Sequence, residues 1–512
     1  MAALIVIALA VSGTVWYLAR NDRIAGAADG ERGDGRADRD DRPVAHCAGA
    51  PLSAPHELRG MWLTTVRNTD WPSRPGLDPE TLKAEFRSWL DLAQRLNHNA
   101  IFVQIRPSGD AFWPSLDAPW SDWLTGRRDG SGPGWDPLEF MIEETHARNL
   151  EFHAWFNPYK ASQIADPNLL QPDNPIRTHP DWSVTFPATG PDSRIYFNPG
   201  VPAARAFVED AILDAVRRYD LDGVHFDDFF YPYPVKGQDF PDDAAFAQYG
   251  KGFTDKGEWR RDNVNHLVHE MDLRIKQIKP WVKFGISPFG IWRNDTTDPK
   301  GSPTRGLQSY DEIYADTRRW VREGWLDYIA PQLYWNIGFA VADYSKLLAW
   351  WSSVVKGTGV QLYVGQADYR VGQPGAWSDP AELTRQLRLN AKYEVSGSIH
   401  FTASNLRDDK LGAVKQYRDA LNAGPALVPT MRGLPRHTPP RPTSVTVKGH
   451  TVSWRGAGAT SFAVYKVEGD KASLVATTRR TTWTDPGSKG TYCVSALDRS
   501  WNESQPSIQG MN

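Results

Sequence analysis

Two adjacent aspartates, Asp227 and Asp228, end an apolar run in the stretch LDGVHFDDFFYPYP at residues 221 to 234. Aspartate forms strands poorly and is costly to bury without a partner. The pair must therefore either find partners or carry out a reaction. A protonated and an ionised carboxyl group together supply the acid and the nucleophile or base of glycosidic bond cleavage. The elements that position the pair decide between these possibilities.

Short apolar runs around the pair alternate with helical patterns that have apolar residues every three or four positions. The runs number eight, as in a closed (β/α)8 barrel, whereas an open doubly wound sheet usually has fewer strands and a glycine-rich phosphate loop. The predicted fold class is therefore α/β, a (β/α)8 TIM barrel at residues 51–423. The runs are ELRGMWLTT from residue 57, AIFVQIRP from 100, EFHAWFNP from 151, DGVHFDDFF from 222, KFGISPFG from 283, DYIAPQLYW from 327, QLYVGQA from 361 and GSIHFTA from 397.

In such a barrel the site lies at the carboxyl ends of the strands, and side chains alternate between the interior and the helix layer. On the fourth strand Val224 and Phe226 face the helices, which leaves His225 and Asp227 facing inward. The same test on three further strands gives a polar set where a structural interior would hold Val, Ile and Leu, so it predicts a ligand site. For either inward-facing histidine alone, a satisfied interior hydrogen bond is the alternative. The further inward residues are Gln104, Arg106, His153, Trp155, Asn157, Gln332 and Tyr334.

Asp227 is the first candidate for catalysis because it is the last inward-facing residue of its strand. Asp228 is expected on the opposite side, and it reaches the mouth only if the chain turns after the strand. A helix cap, or a partner for Arg106 or Arg293, is the structural alternative for Asp228.

The loops that follow the strands add candidates at the rim. Carboxylates, amides, arginine and aromatic rings suit sugar binding, because hydroxyl groups need polar partners and ring faces need aromatic ones. A second catalytic carboxyl group is not obvious, and Asp110 and Asp228 are both available. The rim candidates are Asp110, Arg293, Asn294, Trp335 and Gln366, with Asp368 and Tyr369 beside them.

The composition narrows the classes of partner. The chain has 512 residues, a formal net charge of −3 and 22 tryptophans. Nothing in this balance indicates a nucleic-acid partner, which needs a clustered basic surface, whereas exposed tryptophan suits sugar rings. We expect a monomer that needs neither cofactor nor metal. Cys47 and Cys493 lie in regions that look structurally separate, so a disulfide is not expected.

The chain ends carry separate segments. Residues 2–19 form an uncharged apolar run, so residues 1–20 are predicted to be a signal peptide or a membrane anchor, and the protein is expected in the periplasm or cell envelope. Residues 21–50 have the composition of a disordered tether. A proline-rich linker at 424–442 precedes short alternating strands, which predict a small all-β sandwich at 443–512. The last of these strands resemble those of fibronectin type III domains.

Seven ordered motifs resemble the glycosyl hydrolase-like 10 family over about residues 56 to 420. They are ELRGMWLTTV with DWPS, IFVQIRPSGDAFWPS, HAWFNPY, YFNPG, DGVHFDDFFYP, FGISPFGIWRN and APQLYW. The resemblance implies a barrel related to glycoside hydrolases, exported or lipid-anchored in bacteria, with members that cleave peptidoglycan glycan strands stripped of their peptides. It carries over Arg106, Asp110, Trp155, Asn157, Asp227, Asp228, Arg293, Asn294, Gln332, Tyr334 and Gln366.

The combined hypothesis is an exported glycoside hydrolase that cleaves O-glycosidic bonds in a 2-acetamido-sugar polymer, the glycan strands of peptidoglycan. Asp227 would be the nucleophile or would orient the acetamido group, and Asp228 or Asp110 would be a general acid whose pKa neighbouring aromatic rings raise. One alternative is a metal-dependent polysaccharide hydrolase or deacetylase that uses His153, His225 and Asp227. Another is a non-catalytic glycan-binding protein with the same barrel.

Overall fold

The computed structural model describes residues 45–393, 395–487 and 489–510. The predicted signal peptide or anchor at 1–20, and the predicted tether as far as residue 44, lie outside the described residues. None of the helices in the described ranges has the length and apolar character needed to cross a membrane.

The described strands form four sheets, one of them a closed barrel. In chain order the strands are β1 (His46–Cys47), β2 (Ala50–Ser53), β3 (Leu58–Leu63), β4 (Ala100–Arg106), β5 (Glu151–Phe156), β6 (Lys160–Ser162), β7 (Ser183–Phe186), β8 (Arg194–Phe197), β9 (Gly223–Phe226), β10 (Lys283–Ile286), β11 (Tyr328–Ile329), β12 (Gln361–Gln366), β13 (Gly397–His400), β14 (Thr443–Lys448), β15 (Thr451–Arg455), β16 (Ser461–Glu468), β17 (Lys471–Thr478), β18 (Thr482–Thr484), β19 (Tyr492–Leu497) and β20 (Ser507–Ile508).

The α-helices of the described residues lie mostly between the barrel strands. In chain order they are α1 (Pro79–Arg95), α2 (Asp122–Thr125), α3 (Pro137–Ala147), α4 (Pro175–Thr178), α5 (Pro202–Arg218), α6 (Asp243–Tyr249), α7 (Lys256–Ile278), α8 (Ser309–Glu312), α9 (Thr317–Glu323), α10 (Tyr344–Val355), α11 (Ala381–Lys392), α12 (Ala403–Asp408) and α13 (Ala413–Leu421). Short 3-10 turns occupy Val66–Asn68, Pro167–Leu169, Pro180–Trp182, Asp368–Arg370, Gly375–Ser378 and Lys410–Gly412.

The predicted (β/α)8 TIM barrel is confirmed. Its parallel strands follow the order β3, β4, β5, β9, β10, β11, β12 and β13, and β13 pairs with β3 to close the ring, with Gly397 opposite Leu58. Every residue of β3, β4 and β5 is buried, as expected for strands covered on both faces. The largest apolar cluster lies between these strands and the surrounding helices.

Helix α1 shows how the sequence sets the helix layer. The Asp78 side chain accepts a hydrogen bond from the Thr81 backbone N–H at 3.0 Å, and Pro79 occupies the first turn, where its missing N–H costs nothing. The apolar residues then recur on one face, which packs toward the barrel. Its buried members include Leu82, Phe86, Trp89, Leu90 and Ala93.

The C-terminal region is all-β, as predicted. The first of its two sheets has the order β1-β2-β17-β16-β19-β20 and the second has the order β14-β15-β18. Trp454, Phe462 and Val494 are buried together in the apolar cluster that the two sheets share. We call β1, β2 and β14–β20 together the sheet module.

Two expectations about the N-terminal segment are wrong. Cys47 and Cys493 form a disulfide with their Cα atoms 5.8 Å apart, although 446 residues separate them. The end of the predicted tether, residues 45–50, contributes β1 and the start of β2, and β2 pairs with β17 with Leu52 opposite Ala472. Burial of Cys47 in this sheet depends on a long-range contact that local composition does not reveal.

The proline-rich segment 424–442 packs against the barrel rather than crossing open solvent. The Leu427 backbone N–H donates to the Pro55 carbonyl at 2.9 Å, and the Leu427 carbonyl accepts from Glu57 N–H at 2.9 Å. Val428 and Met431 are buried in the same apolar cluster. The segment is therefore fixed by the apolar residues between its prolines.

The sheet module covers the amino end of the barrel. Trp501 Nε1 donates to Glu151 Oε1 at 2.6 Å, and Glu151, the first residue of β5, also pairs with Lys283 at the start of β10. Arg499 pairs with Asp222, just before β9, at 3.3 Å. The carboxyl end of the barrel is left as the open end, where barrel active sites lie.

Candidate active site

A cavity of about 310 Å³ lies at the carboxyl end of the barrel, where β9 ends at Phe226. The next two residues, Asp227 and Asp228, are buried and both line this cavity. Pairing fixes where they emerge, because Phe226 lies opposite Phe156 of β5 and Ile286 of β10. The other lining residues are Trp62, Thr64, Val66, Gln104, Trp155, Asn157, Lys160, Phe229, Tyr233, Ser287, Gln332, Tyr334 and Phe401.

Asp227 is held by amide groups. Its Oδ2 accepts a hydrogen bond from Asn157 Nδ2, and its Oδ1 accepts one from the Phe229 backbone N–H at 3.2 Å. Asn157 Oδ1 accepts in turn from Gln104 Nε2 at 2.7 Å. Gln104, Asn157 and Asp227 come from three neighbouring strands, and the alternation of side chains predicted that they would meet.

Asp228 also faces the cavity. Its Oδ2 accepts a hydrogen bond from the Tyr233 hydroxyl, and its Oδ1 accepts one from Gln332 Nε2 at 3.2 Å. Of the two placements that the sequence left open, the turn toward the mouth is the one observed, because β9 ends at Phe226 and strict alternation ends with it. Within the described residues, the side chain neither caps a helix nor pairs with an arginine.

The two carboxyl groups share one electrostatic environment. Burial, and then the charge of Asp228, raise the pKa of Asp227 to about 7, against an opposing effect from Lys160. Burial likewise raises the pKa of Asp228, against hydrogen bonds from Tyr233 and Gln332. Because the groups are coupled, the raised pKa belongs to the pair, which keeps a proton into the neutral range.

Lys160 is a site residue that the sequence reasoning missed. It lies on β6, a strand inserted after β5, and its Nζ lies 3.4 Å from the centroid of the Phe229 ring. Burial lowers the pKa of the Lys160 ammonium, whereas Asp227 and Asp228 act to raise it. Alternation applies to the regular barrel strands and not to this inserted strand, so the sequence marks Lys160 only as a lysine directly after the third-strand motif HAWFNPY.

Aromatic rings form much of the cavity wall. Tyr334 stacks on Phe401 with ring centroids 5.9 Å apart, and Trp62 meets Phe401 edge-on at 6.0 Å. Trp155 is 5% exposed, and among the described residues its indole N–H has no hydrogen-bond partner. Flat apolar faces beside hydrogen-bonding groups suit a sugar ring.

Arg106 and Asp110 do not reach this cavity. A bulge between Gln104 and Arg106 places Arg106 opposite Phe156, a helix-facing residue, so the predicted inward direction of Arg106 is wrong. The guanidinium is buried and donates to the Asp110 backbone carbonyl at 3.2 Å. The Asp110 carboxylate accepts from the Ser108 N–H at 2.9 Å and lines a neighbouring groove.

The inward-facing histidines lie in a layer below the cavity. Trp62 Nε1 donates to His225 Nε2 at 3.0 Å, so His225 Nδ1 carries the hydrogen and donates to the Tyr328 oxygen at 3.1 Å. The Tyr328 hydroxyl then donates to His153 Nδ1 at 3.1 Å, and His153 Nε2 donates to Glu151 at 2.9 Å. Burial lowers the pKa of both histidines, which fits these neutral tautomers. For both, the alternative of a satisfied interior hydrogen bond is the one observed.

The hydrogen bonds of this layer occupy the two histidines that the metal-dependent alternative needs as metal ligands. His153 and His225 direct their ring nitrogens to Tyr328, Trp62 and Glu151 rather than to Asp227. In the described part of the chain, no group of three His, Cys, Asp or Glu side chains is placed to hold a metal ion.

Two of the rim candidates hold a loop instead of lining the cavity. Arg293 pairs with Asp311 at 2.7 Å and with Asp298 at 3.2 Å. Asn294 Oδ1 accepts from the Thr304 hydroxyl at 2.7 Å. Both residues shape the loop after β10 and lie outside the cavity lining.

Gln366 and Trp335 also lie outside the cavity lining. Tyr363 of β12 faces the barrel interior, where it meets Tyr328 with ring centroids 4.9 Å apart, so Gln366 three positions later faces the helices. Gln366 Nε2 donates to the Tyr344 hydroxyl at 2.9 Å. Trp335 packs edge-on against Phe289, with ring centroids 5.6 Å apart.

The barrel and its paired carboxyl groups place the protein in the class of glycoside hydrolase-like (β/α)8 proteins. The family model Glycosyl hydrolase-like 10 matches residues 57–381, and the chain belongs to this family.

Named relatives agree with this assignment. The chain is 46% identical to "Glycosyl hydrolase YngK" of Bacillus subtilis (strain 168) over 484 residues, which cover 90% of this chain and 94% of that protein. It is 42% identical to "Glycosyl hydrolase DigH" of Escherichia coli (strain K12) over 368 residues, which cover 67% of this chain and 82% of that protein. Among solved structures, the glycoside hydrolase domain of PgaB (BpsB) from Bordetella bronchiseptica matches with a TM-score of 0.45 and 15% identity, over 72% of this chain and 99% of that chain.

Proposed function

We propose that this protein is an exported hydrolase that cleaves O-glycosidic bonds in the glycan strands of peptidoglycan, a 2-acetamido-sugar polymer. The observation that carries the proposal is the buried pair Asp227 and Asp228 in one cavity with aromatic walls. Glycosidic cleavage needs one protonated and one ionised carboxyl group, and a coupled pair with a raised pKa supplies both near neutral pH.

The roles follow from the sharing of one proton. The protonated carboxyl group donates to the leaving glycosidic oxygen, and the ionised one attacks or stabilises the anomeric carbon or orients the acetamido group. Asp110 lines the groove rather than the cavity, so Asp228 is the better partner for Asp227. Gln104 and Asn157 keep Asp227 in place.

Export is supported by the disulfide between Cys47 and Cys493. Such bonds form and persist in oxidising compartments outside the cytosol. The apolar run at residues 2–19 is the proposed export signal or membrane anchor. Peptidoglycan as the polymer is supported by the motifs that this chain shares with its family.

Product analysis tests the proposal. Intact and peptide-stripped peptidoglycan are incubated with the protein and with its Asp228→Asn variant, and soluble products are identified by mass spectrometry. We expect the wild-type protein to release glycan fragments with new reducing ends and the variant to release almost none. Tight binding to the polymer without any released sugar would favour the glycan-binding alternative instead.

A second measurement assigns the acid. Aryl glycosides with good leaving groups need little protonation of the leaving oxygen, so a variant that lacks only the general acid keeps more of its activity on them than on the polymer. Asp227→Asn and Asp228→Asn are compared on both substrates. The variant with the larger recovery on the aryl glycoside identifies the acid.

A further inference from the structure

A groove of about 630 Å³ adjoins the catalytic cavity. The two meet at consecutive residues: Val66 lines the cavity and Arg67 the groove, and Lys160 lines the cavity and Ala161 the groove. Its walls include Trp120 and the amide side chains Gln163, Gln171 and Asn174.

Three cations meet where the cavity joins the groove. Lys160 lies on β6, Arg194 begins the adjacent strand β8, and Arg67 lies on the loop after β3. Arg67 and Arg194 both act on Lys160 electrostatically and lower its pKa further, after burial. We call Lys160, Arg67 and Arg194 the junction cations.

Of the junction cations, Lys160 is opposed by Asp227 and Asp228, which line the same cavity, whereas Arg67 and Arg194 pair with no carboxylate of the described residues. Arg194 donates to the Gln163 side chain at 3.1 Å and to backbone carbonyls. Across the described ranges, none of the three is within ion-pair distance of a carboxylate, whereas Arg128 at the groove rim pairs with Asp122. Two arginines without ion-pair partners beside a buried lysine give the groove side of this junction a positive potential that an anionic ligand relieves.

The backbone at Arg67 adopts an energetically unfavourable conformation. Arg67 and Asn68 both have positive φ, 56° and 51°, a region that residues other than glycine rarely occupy. The loop is fixed on both sides: Gln104 Oε1 accepts from the Val66 N–H at 3.0 Å, and Asn68 Nδ2 donates to the Trp123 carbonyl at 2.8 Å. Strain that surrounding contacts enforce next to a cavity is typical of functional positions.

We propose that the junction cations bind a carboxylate carried by a sugar unit next to the unit that is cleaved, so that the polymer contains an acidic 2-acetamido sugar. The inference rests on the proposed function, because it places this unit beside the acid pair. Arg67 presents paired N–H donors that match a carboxylate, and Arg194 adds its Nη2, since its Nε and Nη1 already donate to Gln163 and the backbone. Strands β6 and β8 hold Lys160 and Arg194 on one small sheet. The groove beyond them accommodates the continuing chain.

Matched substrates test this inference. Peptide-stripped glycan strands are compared with the same strands after chemical reduction of their carboxyl groups to alcohols. We expect kcat/KM of the wild-type protein to be about tenfold to hundredfold higher on the carboxylated strands, which corresponds to charge-assisted hydrogen bonds. The double variant Arg67→Gln/Arg194→Gln should lose this preference mainly through KM. The matched control Arg87→Gln/Arg418→Gln removes two charges from the helix layer and should keep it.

Binding measurements test this inference independently of the proposed cleavage reaction. The Asp227→Asn variant, with and without the two junction substitutions, is titrated with both kinds of strand. Tighter binding of carboxylated strands that disappears with the substitutions supports the junction site even if no strand is cleaved. Equal binding of both strands, or a preference that the double variant retains, overturns the inference even if the wild-type protein cleaves them.

Discussion

Glu151 and Asp227 are buried carboxyl groups on neighbouring strands of one barrel, at opposite ends. Glu151 begins β5 and is covered by the sheet module, whereas Asp227 follows β9 at the open mouth. Glu151 contacts Lys283, His153 Nε2 at 2.9 Å and Trp501 Nε1 at 2.6 Å. Its oxygens are thus satisfied by a cation and two ring N–H donors.

The two environments shift the pKa values in opposite directions. Burial alone would raise the pKa of Glu151, but Lys283 and then the hydrogen bond with His153 outweigh it, so the pKa is lowered. Burial and Asp228 raise the pKa of Asp227, and Lys160 offsets only part of that shift. The comparison teaches that burial by itself does not mark a catalytic carboxyl group, because the neighbouring charge decides whether burial leaves a reactive proton.

The largest expected effect is on the reaction rate, when Asp227 at the carboxyl end of the barrel is replaced. Asp227→Asn should lower kcat on peptide-stripped glycan strands by about 10²–10⁴-fold, because it removes one member of the acid pair. The folded state should persist, since asparagine can still accept one of the two hydrogen bonds, from Asn157 or from the Phe229 N–H, and removes a charge that burial disfavours. Reducing-end assays and thermal unfolding measure the two effects. A variant that unfolds, or that keeps more than a tenth of the wild-type rate, would contradict the assignment.

At the amino end of the barrel, loss of a charge partner should lower the free energy of unfolding. Lys283→Met leaves Glu151 buried without its cation, and loss of one partner of a buried pair costs about 3–5 kcal/mol of unfolding free energy. Chemical denaturation measures this loss. The control Lys83→Met breaks the exposed pair with Glu80 and should cost at most about 1 kcal/mol. Equal losses of unfolding free energy for the two variants would show that the buried Lys283–Glu151 pair stabilises the fold no more than an exposed pair does.

Much of this comparison could be predicted from the sequence, because it follows from strand periodicity. Eight apolar runs indicated the barrel, and alternation placed Gln104, Asn157 and Asp227 at its mouth. The same period, applied to β12, would have turned Gln366 toward the helices, because Tyr363 faces inward. Alternation succeeds where a strand is regular, since each pleat reverses the side chain.

The features that could not be predicted depend on local irregularity or on contacts between distant segments. A bulge turns Arg106 outward, and a single extra residue in a strand leaves no clear mark in an apolar run. Lys160 belongs to a strand inserted outside the eightfold pattern. Cys47 meets Cys493 only because β2 joins the last sheet, so the bond depends on tertiary packing that neither segment encodes alone.

A pH series sharpens the electrostatic contrast. The pKa of Asp227 is raised from 3.8 to about 7, so folding favours its protonated form: the stability that this group contributes is full below pH 4 and is lost as pH rises through about 7. We expect unfolding free energy from this source to fall by about 4 kcal/mol between pH 4 and pH 8. Asp227→Asn should remove that part of the decline. Parallel pH curves for the variant and the wild-type protein would argue against a raised pKa at Asp227.

The smallest expected effect tests whether the two ends communicate. Trp501→Phe removes the N–H that binds Glu151 while Lys283 and His153 remain, so it should cost about 1.5 kcal/mol of unfolding free energy, the lower end for a hydrogen bond to a charged group. Trp454→Phe is the matched control, because that buried indole N–H has no hydrogen-bond partner among the described residues. The difference between the two variants isolates the bond.

The kcat values of the same variants show whether the hydrogen bond from Trp501 to Glu151 affects the active site. A chain of hydrogen bonds runs from Glu151 through His153, Tyr328 and His225 to Trp62 in the cavity wall. Every donor in it points toward Glu151, and all its members are neutral except that carboxylate, so the loss of Trp501 N–H leaves each of those bonds intact. We therefore expect kcat of folded Trp501→Phe to stay within about twofold of wild type, a change below 0.5 kcal/mol. A larger fall in kcat, with the Trp454→Phe control unchanged, would mean that the sheet module positions the active site and does not only close the barrel.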